Sequence, residues 1–281
     1  MAAAGGAGEA VTPGRAQARL GVLGWPVAHS RSPAMHNAAL RELGLSSWRY
    51  QLLPVPPELF AEVVRALPAA GFRGANVTIP HKGAALALAA SASERARAIG
   101  AANTLVFGED GAIEADNTDG PALLEALGER AAGATAVVLG AGGSARAAIW
   151  ALRRAGAARL LVWSRNRRRA RELCDLLGGE PAEEGELGGQ LLVNCTPVGL
   201  EGLEQEPFKA LPLTADHLSR YETVIDFVYG DGETRLARAA RERGVRVIDG
   251  RELLLRQGAI AFERFTGRRA PIEVMRRVLA P

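Results

Sequence analysis

The sequence has little cysteine, almost no lysine and no long hydrophobic run. Its 281 residues include 2 cysteines, Cys174 and Cys195, which are too few and too far apart to form a disulfide framework. They favour a reducing compartment, so we expect a cytoplasmic protein. No apolar run reaches the roughly 18 residues that a transmembrane helix needs, and no membrane partner is expected. The 4 histidines form no cluster with cysteines or carboxylates at ligand spacing, so no metal site is predicted.

The charge is balanced, and the positive part of it is almost entirely arginine. Basic residues number 34 and acidic residues 31, which gives a formal net charge of +3. A charge this small and this interspersed does not indicate a nucleic-acid partner, and a small-molecule ligand is expected instead. Lys82 and Lys209 are the only lysines in the sequence. A lysine in this chain therefore needs a specific explanation.

The length and the order of the apolar segments predict an α/β protein with two domains. At 281 residues the chain is longer than one compact core comfortably fills. Residues 1–16 are rich in alanine and glycine and are expected to form a flexible tail. After them, strands alternate with helices, which predicts a first domain with a mostly parallel sheet. The predicted strands are 20–24, 48–53 and 74–78, and the predicted helices are 33–43, 56–67 and 81–90.

The strand and helix pattern restarts at residues 136–156 and predicts a second, doubly wound domain of the Rossmann type, with bounds set at 120–250. Residues 178–190 are interpreted as a polar loop. Two helical stretches, 251–265 and 271–280, have no strand left to accompany, so they are expected to return to the first domain. The first domain would then comprise residues 17–119 and 251–281, with the active site in the cleft between the domains. The predicted strands of the second sheet are 136–139, 159–164, 191–196, 223–228 and 245–250.

A glycine-rich turn, GAGGSA at 140–145, stands between a predicted strand and a predicted helix. In that context Gly140 allows the tight turn, Gly142 lets the backbone approach a pyrophosphate, and Ala145 lets the helix pack on the sheet. The free N–H groups and the dipole of the helix N-terminus would then face the phosphates. The alternative is a merely flexible turn, since a glycine pattern alone is weak.

An arginine cluster follows the next predicted strand, where an NAD enzyme would carry an acidic residue for the ribose 2′-OH. The segment reads SRNRRRARE over residues 164–172, with no acid before Glu172. A guanidinium matches a phosphate, so the pattern predicts NADP(H). The alternative is a solvated basic helix start, which the helix dipole disfavours at an N-terminus.

Further motifs identify a family. They are HSRSP (29–33), NVTIPHK (76–82), ANT (102–104) and DNTDG (116–120) ahead of the turn, and NCTPVG (194–199), DFVYG (226–230), DGRELLLRQGAIAF (249–262) and TGRRAP (266–271) after it. Together they closely resemble the shikimate dehydrogenase family, from about residue 20 to residue 275. The resemblance implies a substrate-binding catalytic domain joined to a Rossmann domain, and the reversible NADPH-dependent reduction of 3-dehydroshikimate to shikimate. Two departures are Trp25, where the family usually has a small or polar residue, and Ser164-Arg165-Asn166, where it usually has Asn-Arg-Thr.

The resemblance also implies roles for individual residues. Lys82 and Asp119 would form the catalytic pair. The residues implied to bind substrate, that pair included, are Ser30, Ser32, Thr78, Lys82, Asn103, Asp119, Tyr229 and Gln257. Those implied to bind the cofactor are Glu94, Gly140, Ala141, Gly142, Gly143, Ser144, Ser164, Arg165, Asn166, Arg169, Thr196, Phe227 and Gly250.

Three of these residues can also be assessed without the resemblance. Lys82 is favoured as a proton donor and acceptor because lysine can give up its proton in a partly desolvated site, whereas arginine cannot. Asp119 precedes a predicted helix and could be only an N-cap carboxylate. Ser32 precedes Pro33, a favourable first helical residue, so Ser32 is expected to cap that helix as well as bind a carboxylate.

Two alternative functions stay open at this point. One is a relative that also oxidises quinate or has relaxed cofactor use. The other is a non-catalytic NADP-sensing regulator on the same fold. The presence of Lys82 and Asp119 argues against a regulator, because a sensor needs neither residue. The protein is expected to be a monomer or a homodimer.

Overall fold

The computed structural model describes residues 17–200 and 206–280, and within them the strands form two six-stranded sheets. The predicted tail, residues 1–16, lies outside the described residues. The strands of the first sheet are β1 (Ala18–Gly24), β2 (Trp48–Pro54), β3 (Phe72–Val77), β4 (Ser91–Ala92), β5 (Thr104–Phe107) and β6 (Ile113–Asp116). The helices between them are α1 (Ser32–Glu42), α2 (Phe60–Ala66), α3 (Lys82–Leu88) and α4 (Glu94–Ile99), and a 3₁₀ turn at Pro57–Leu59 leads into α2.

The first sheet has the order β2-β1-β3-β5-β6-β4 and is mixed. Strand β1 pairs in parallel with β2 and β3, and β4 pairs in parallel with β6. Strands β3, β5 and β6 pair antiparallel in sequence order. The predicted parallel strands are confirmed, but the sequence pattern gave no indication of β4, β5 and β6. Strands of two to four residues are too short to show a clear alternation of apolar and polar residues.

The second sheet has the order β12-β11-β10-β7-β8-β9, and all of its pairs are parallel. This is the predicted doubly wound arrangement. Its strands are β7 (Thr135–Leu139), β8 (Arg159–Trp163), β9 (Glu180–Pro181), β10 (Leu191–Asn194), β11 (Thr223–Asp226) and β12 (Arg246–Ile248). Its helices are α5 (Asp119–Leu127), α6 (Gly143–Arg154), α7 (Arg167–Leu177), α8 (Pro207–Ala210) and α9 (Arg235–Arg241). The predicted loop at 178–190 is wrong in detail, because it contains the edge strand β9 and a 3₁₀ turn at Glu184–Glu186.

The last two helices, α10 (Gly250–Thr266) and α11 (Ile272–Leu279), pack on the first sheet as predicted. Phe262 of α10 and Met275 of α11 share a buried core with Leu20 of β1 and Met35 of α1. Helix α10 starts two residues after β12, and the Asp249 side chain caps it by accepting the backbone N–H groups of residues 251 and 252. The chain therefore crosses from one sheet to the other at the start of α10.

The carboxyl ends of β3 and β7 face a common cleft between the two sheets. Strand β3 leads into α3, which begins at Lys82, and β7 leads into the glycine turn before α6. In parallel α/β sheets ligands bind beyond the carboxyl ends of the strands, so this topology brings the predicted motifs together. None of the described helices has the length and apolarity to cross a membrane.

Candidate active site

The eight residues that the resemblance assigned to substrate binding line one cavity in the cleft. They come from the α1 start, the end of β3, the start of α3, the segment before β5, the α5 start, the loop after β11 and α10. Most of them are neutral hydrogen-bonding side chains. The eight are Ser30, Ser32, Thr78, Lys82, Asn103, Asp119, Tyr229 and Gln257.

Lys82 and Asp119 form an ion pair on the wall of this cavity. The Lys82 Nζ atom lies 2.7 Å from Asp119 Oδ2, and the two side chains are 12% and 9% exposed. Each is the first residue of its helix, α3 for the lysine and α5 for the aspartate. The N-cap alternative for Asp119 is wrong, because Thr118 occupies the N-cap and it is Asn117 Oδ1 that accepts a first-turn N–H, that of Gly120 at 3.1 Å. The aspartate carboxylate is therefore directed to the lysine rather than to its own helix.

Asn103 holds the acidic partner of this pair in place. Its side-chain amide donates to Asp119 Oδ1 at 2.9 Å and to Thr118 Oγ1 at 2.9 Å. Its carbonyl oxygen accepts the backbone N–H of Thr118 at 2.7 Å, and Gln257 Oε1 lies 3.3 Å from the amide nitrogen. Thr118, which is fully buried, was not among the predicted site residues. Its position inside the DNTDG motif was the signal that could have identified it.

Ser30, Ser32 and Tyr229 line the same cavity, and Tyr229 hydrogen-bonds the Ser30 side chain. Burial raises the pKa of the Tyr229 phenol, and a hydrogen bond with the Ser30 side chain opposes that shift. The expectation that Ser32 caps α1 is wrong, because α1 begins at Ser32 and its N-cap residue is Arg31, whose side chain makes no capping hydrogen bond. Ser30 instead accepts the backbone N–H of Ser32 at 3.3 Å. The helix starts one residue earlier than Pro33 suggested, and both hydroxyls remain at the cavity.

A buried polar network around Asp226 connects two loops of the site, one carrying Thr196 and the other Tyr229. Asp226 Oδ1 accepts from the Asn194 side-chain amide at 2.9 Å and from the Val228 backbone N–H at 3.1 Å. Its Oδ2 atom accepts from the Thr234 hydroxyl at 2.6 Å, and the Asn194 carbonyl oxygen accepts from the Thr196 hydroxyl at 2.7 Å. Burial raises the pKa of Asp226 to about 6, although its hydrogen bonds lower it. This network ties the Thr196 loop to the loop that carries Tyr229.

A second cavity adjoins the first and contains most of the predicted cofactor residues. It is lined by Gly140, Ala141, Gly142, Gly143, Ser144, Ser164, Arg165, Arg169 and Thr196. Gly140 has a φ of 110°, and a Cβ there would lie 3.1 Å from the Cys195 backbone oxygen, so this position requires glycine. No described atom lies within 4 Å of where a Cβ on Gly142 would be, which leaves space against the backbone. Helix α6 has no side-chain cap, so its first N–H groups are available. This cradle fits the pyrophosphate of a dinucleotide.

The arginines near the second cavity divide into two kinds. Arg167 is paired with Glu183 and Arg168 with Glu172. Arg165 and Arg169, which line the cavity, have no carboxylate partner among the residues of 17–200 and 206–280. Helix α7 begins at Arg167, so Arg165 precedes the helix and Arg169 lies in its first turn, yet both residues line one cavity. Two unpaired guanidiniums beside a phosphate cradle suit a further phosphate group.

Four predicted cofactor residues do not line the second cavity. Glu94 is the exposed first residue of α4 and lies at neither cavity. Asn166 lies outside both cavities and caps α7, where its side chain accepts the Arg169 backbone N–H at 3.1 Å. Phe227 and Gly250 line the first cavity instead. Within the described ranges, no group of three or more His, Cys, Asp or Glu side chains could hold a metal ion.

The two cavities share part of their lining, including Lys82, Ser144 and Thr196. The lysine therefore stands where a ligand in the first cavity would meet the end of a dinucleotide in the second. Such a junction suits hydride transfer between a bound cofactor and a small polyhydroxylated molecule, with the lysine able to exchange a proton.

Comparisons with known proteins agree with this geometry. Residues 22–105 match the model of the shikimate dehydrogenase substrate binding domain, and residues 250–280 match that of the shikimate 5′-dehydrogenase C-terminal domain. The shikimate dehydrogenase (NADP(+)) of Paracoccus denitrificans is 43% identical, over 92% of this chain and 95% of that protein. The enzyme of the same name from Anaeromyxobacter sp. is 46% identical, over 92% and 94%. Shikimate 5-dehydrogenase of Thermus thermophilus, crystallised with NADP(H) and shikimate, is 39% identical with a TM-score of 0.81, covering 93% of this chain and 98% of that one.

Proposed function

The chain belongs to the shikimate dehydrogenase family, and we propose that it catalyses the reversible NADPH-dependent reduction of 3-dehydroshikimate to shikimate. It is thus an NADP-dependent oxidoreductase acting on a CH–OH group. The observation that carries the proposal is the largely buried ion pair of Lys82 and Asp119 at the junction of the two cavities. A protein that only senses a dinucleotide would not need this pair.

The reaction needs one hydride and one proton at the ring ketone. NADPH, when bound, supplies the hydride to the carbonyl carbon. Lys82 donates the proton to the oxygen that becomes the hydroxyl, and in the reverse direction it accepts that proton. Asp119 balances the charge of the ammonium and fixes its direction through the 2.7 Å contact. Asn103 in turn holds the Asp119 carboxylate.

The rest of the first cavity would orient the substrate. A polyhydroxylated ring carboxylate needs many neutral hydrogen-bond partners, which serine, threonine, asparagine, tyrosine and glutamine provide. We assign the carboxylate to Ser30, Ser32 and Tyr229, which all line the cavity, the tyrosine in hydrogen-bond contact with Ser30. We assign ring hydroxyls to Thr78, Asn103 and Gln257. Fixing the ring in this way brings the reacting carbon into a defined position relative to Lys82.

The second cavity would hold NADP(H). The glycine turn and the uncapped start of α6 would hold the pyrophosphate, and Arg165 and Arg169 would hold the 2′-phosphate. Glu94 and Asn166 would act only indirectly, because neither lines a cavity.

Purified protein tests the proposal directly. It should reduce NADP+ with shikimate, and Lys82→Met should bind NADP+ but turn over far more slowly. Equal activity with quinate would favour the broader quinate/shikimate enzyme. NADP+ binding without any turnover would favour the regulator.

We also propose the domain division expected from the sequence, with residues 17–119 and 251–281 in the catalytic domain and 120–250 in the cofactor domain. The core that α10 and α11 share with β1 and α1 supports it. We further propose that the protein is a monomer or homodimer in the cytoplasm. Light scattering of the purified protein would measure the oligomeric state, and fluorescent tagging in cells would locate it.

A further inference from the structure

The Lys82 ammonium has a second partner besides Asp119. Its Nζ atom donates to the Ser144 hydroxyl oxygen at 3.0 Å. Ser144 is the second residue of α6, in the glycine turn of the second cavity, whereas Lys82 begins α3 beside the first sheet. This hydrogen bond therefore crosses the cleft and joins the proton-transfer group to the turn that would hold the pyrophosphate.

The backbone next to Ser144 also contacts the lysine. A Cβ built on Gly143 would lie 2.7 Å from Lys82 Cβ and 2.9 Å from Lys82 Cδ. Real Cβ atoms do not approach other atoms so closely, so the aliphatic stem of Lys82 lies directly on the Gly143 backbone. The glycine turn thus fixes the stem of the lysine through packing and its amine through a hydrogen bond.

The two hydrogen bonds of the Lys82 ammonium fix the direction of its third N–H group. A lysine ammonium has three N–H donors. One is directed to Asp119 and one to Ser144, at 2.7 and 3.0 Å, so the direction of the third is fixed by geometry. Lys82 lines the first cavity, where a substrate oxygen would receive that proton. With Asp119 alone, the amine could rotate about a single contact.

We propose that Ser144 is a positioning residue for Lys82, one that fixes the direction in which the lysine presents its proton. The inference rests on the function proposed above and adds to it a role for the Ser144 side chain, distinct from the use of its backbone N–H in the phosphate cradle. The Ser144 hydroxyl proton has no acceptor among residues 17–200 and 206–280. It is therefore free to donate to an anion in the second cavity, and a donor that is so engaged is a better acceptor for the lysine.

The small number of lysines allows a direct test without any ligand. Protein labelled with ¹³C only in lysine contains two residues that give signals, Lys82 and the exposed Lys209. In Ser144→Ala the Cε–Hε signal of Lys82 should shift or broaden, and that of Lys209 should stay unchanged. Ser144→Thr, which keeps the hydroxyl, should retain the wild-type Lys82 signal. Ser219→Ala, at an exposed serine, is the matched control and should change neither signal.

Steady-state kinetics test the consequence for the reaction. Ser144→Ala should lower kcat on the order of tenfold, as expected for a displaced catalytic group, and should leave KM for shikimate nearly unchanged. Ser144→Thr should recover most of the rate. In a Lys82→Met background, Ser144→Ala should cause no further loss, because the serine acts only through the lysine.

Three results would overturn the proposal. The first is an unchanged Lys82 signal together with an unchanged kcat in Ser144→Ala. The second is a raised KM for NADP+ with kcat intact, which would assign the hydroxyl to the cofactor alone. The third is an equal loss of rate in the Lys82→Met background. Failure of the proposed function would look different, since wild-type protein would then not turn over shikimate, while the lysine signals would still report on the Ser144 contact.

Discussion

The side-chain amide of Asn103 lies 2.9 Å from Asp119 Oδ1, so the residue proposed to hold a ring hydroxyl also holds the carboxylate that orients Lys82. The amide nitrogen has two protons but three acceptors around it, Asp119, Thr118 and Gln257, the last at the longer distance of 3.3 Å. A substrate hydroxyl would therefore replace the weakest of these contacts. Substrate binding and the position of the acid–base pair are coupled through this one side chain.

Asn103→Ala should for this reason affect both kinetic constants. Loss of the contact to a substrate hydroxyl should weaken shikimate binding by about 1 kcal/mol and thereby raise KM for shikimate. Loss of the contact to Asp119 should also lower kcat, because the carboxylate can then move away from Lys82. Steady-state kinetics with shikimate varied at saturating NADP+ separate the two effects. A change in KM alone would contradict the coupling.

Lys82→Arg keeps the positive charge but removes the ability to exchange a proton near neutral pH. It should lower kcat on the order of 10²–10⁴, with a smaller change in KM for shikimate. Lys209→Arg is the matched control, since Lys209 is exposed and lines neither cavity, and its activity should equal that of wild type. Turnover of Lys82→Arg near the wild-type value would remove Lys82 from the mechanism.

Ser30→Ala and Ser32→Ala should each weaken shikimate binding by about 1–3 kcal/mol, because a carboxylate would lose one of its partners. The affinity for NADP+ should stay unchanged, since neither serine lines the second cavity. Calorimetric titration of each variant with shikimate and with NADP+ measures both. Weaker NADP+ binding instead would place the serines on the cofactor side.

Asp226 makes the stability of the protein depend on pH. Burial raises its pKa from an ordinary 3.8 to about 6, so between these values the folded state binds more protons than the unfolded state. Its contribution to stability is fully present below pH 3.8 and is lost as the pH rises through about 6. Asp226→Asn imitates the protonated form. It should therefore gain stability relative to wild type as the pH rises from 4 to 8, by up to about 3 kcal/mol. Urea unfolding of both proteins at several pH values checks this, and a difference that does not vary with pH would contradict it.

The sequence predicted those parts of the site in which a short motif and its neighbouring elements determine the local structure. The turn at 140–145 lies between a strand and a helix, and this local order alone predicts a phosphate cradle. Helix starts were less predictable. Ser32 and Asp119 were both considered as N-caps, yet each is the first residue of its helix, a difference of one residue that local sequence patterns do not resolve.

Contacts between distant segments could not be predicted from local patterns. Ser144 was assigned to the cofactor from its motif, but its hydrogen bond to Lys82 joins residues 62 positions apart. Thr118 shows the same limitation, since its hydroxyl meets Gln257, 139 residues further along the chain. Only the packing of α10 back onto the first sheet brings that pair together. The short strands β4, β5 and β6 gave too little periodic signal to be detected.

Cofactor preference should depend on Arg165 and Arg169, which lack carboxylate partners among the described residues, whereas Arg167 and Arg168 are already paired with glutamates. A 2′-phosphate carries about two negative charges. NAD offers only a neutral hydroxyl there, which would leave two guanidiniums facing each other with no anion between them. At roughly 1.5–3 kcal/mol for each charged hydrogen bond, the preference for NADP+ should amount to several kcal/mol. The preference for NADP+ should weaken with added salt, because both arginine side chains are exposed.

Values of kcat/KM for NADP+ and NAD+ in wild type and in the double variant Arg165→Ala/Arg169→Ala test this cofactor preference. Arg168→Ala is the control and should keep the wild-type preference. If the double variant kept that preference too, the two arginines would be only a solvated basic surface.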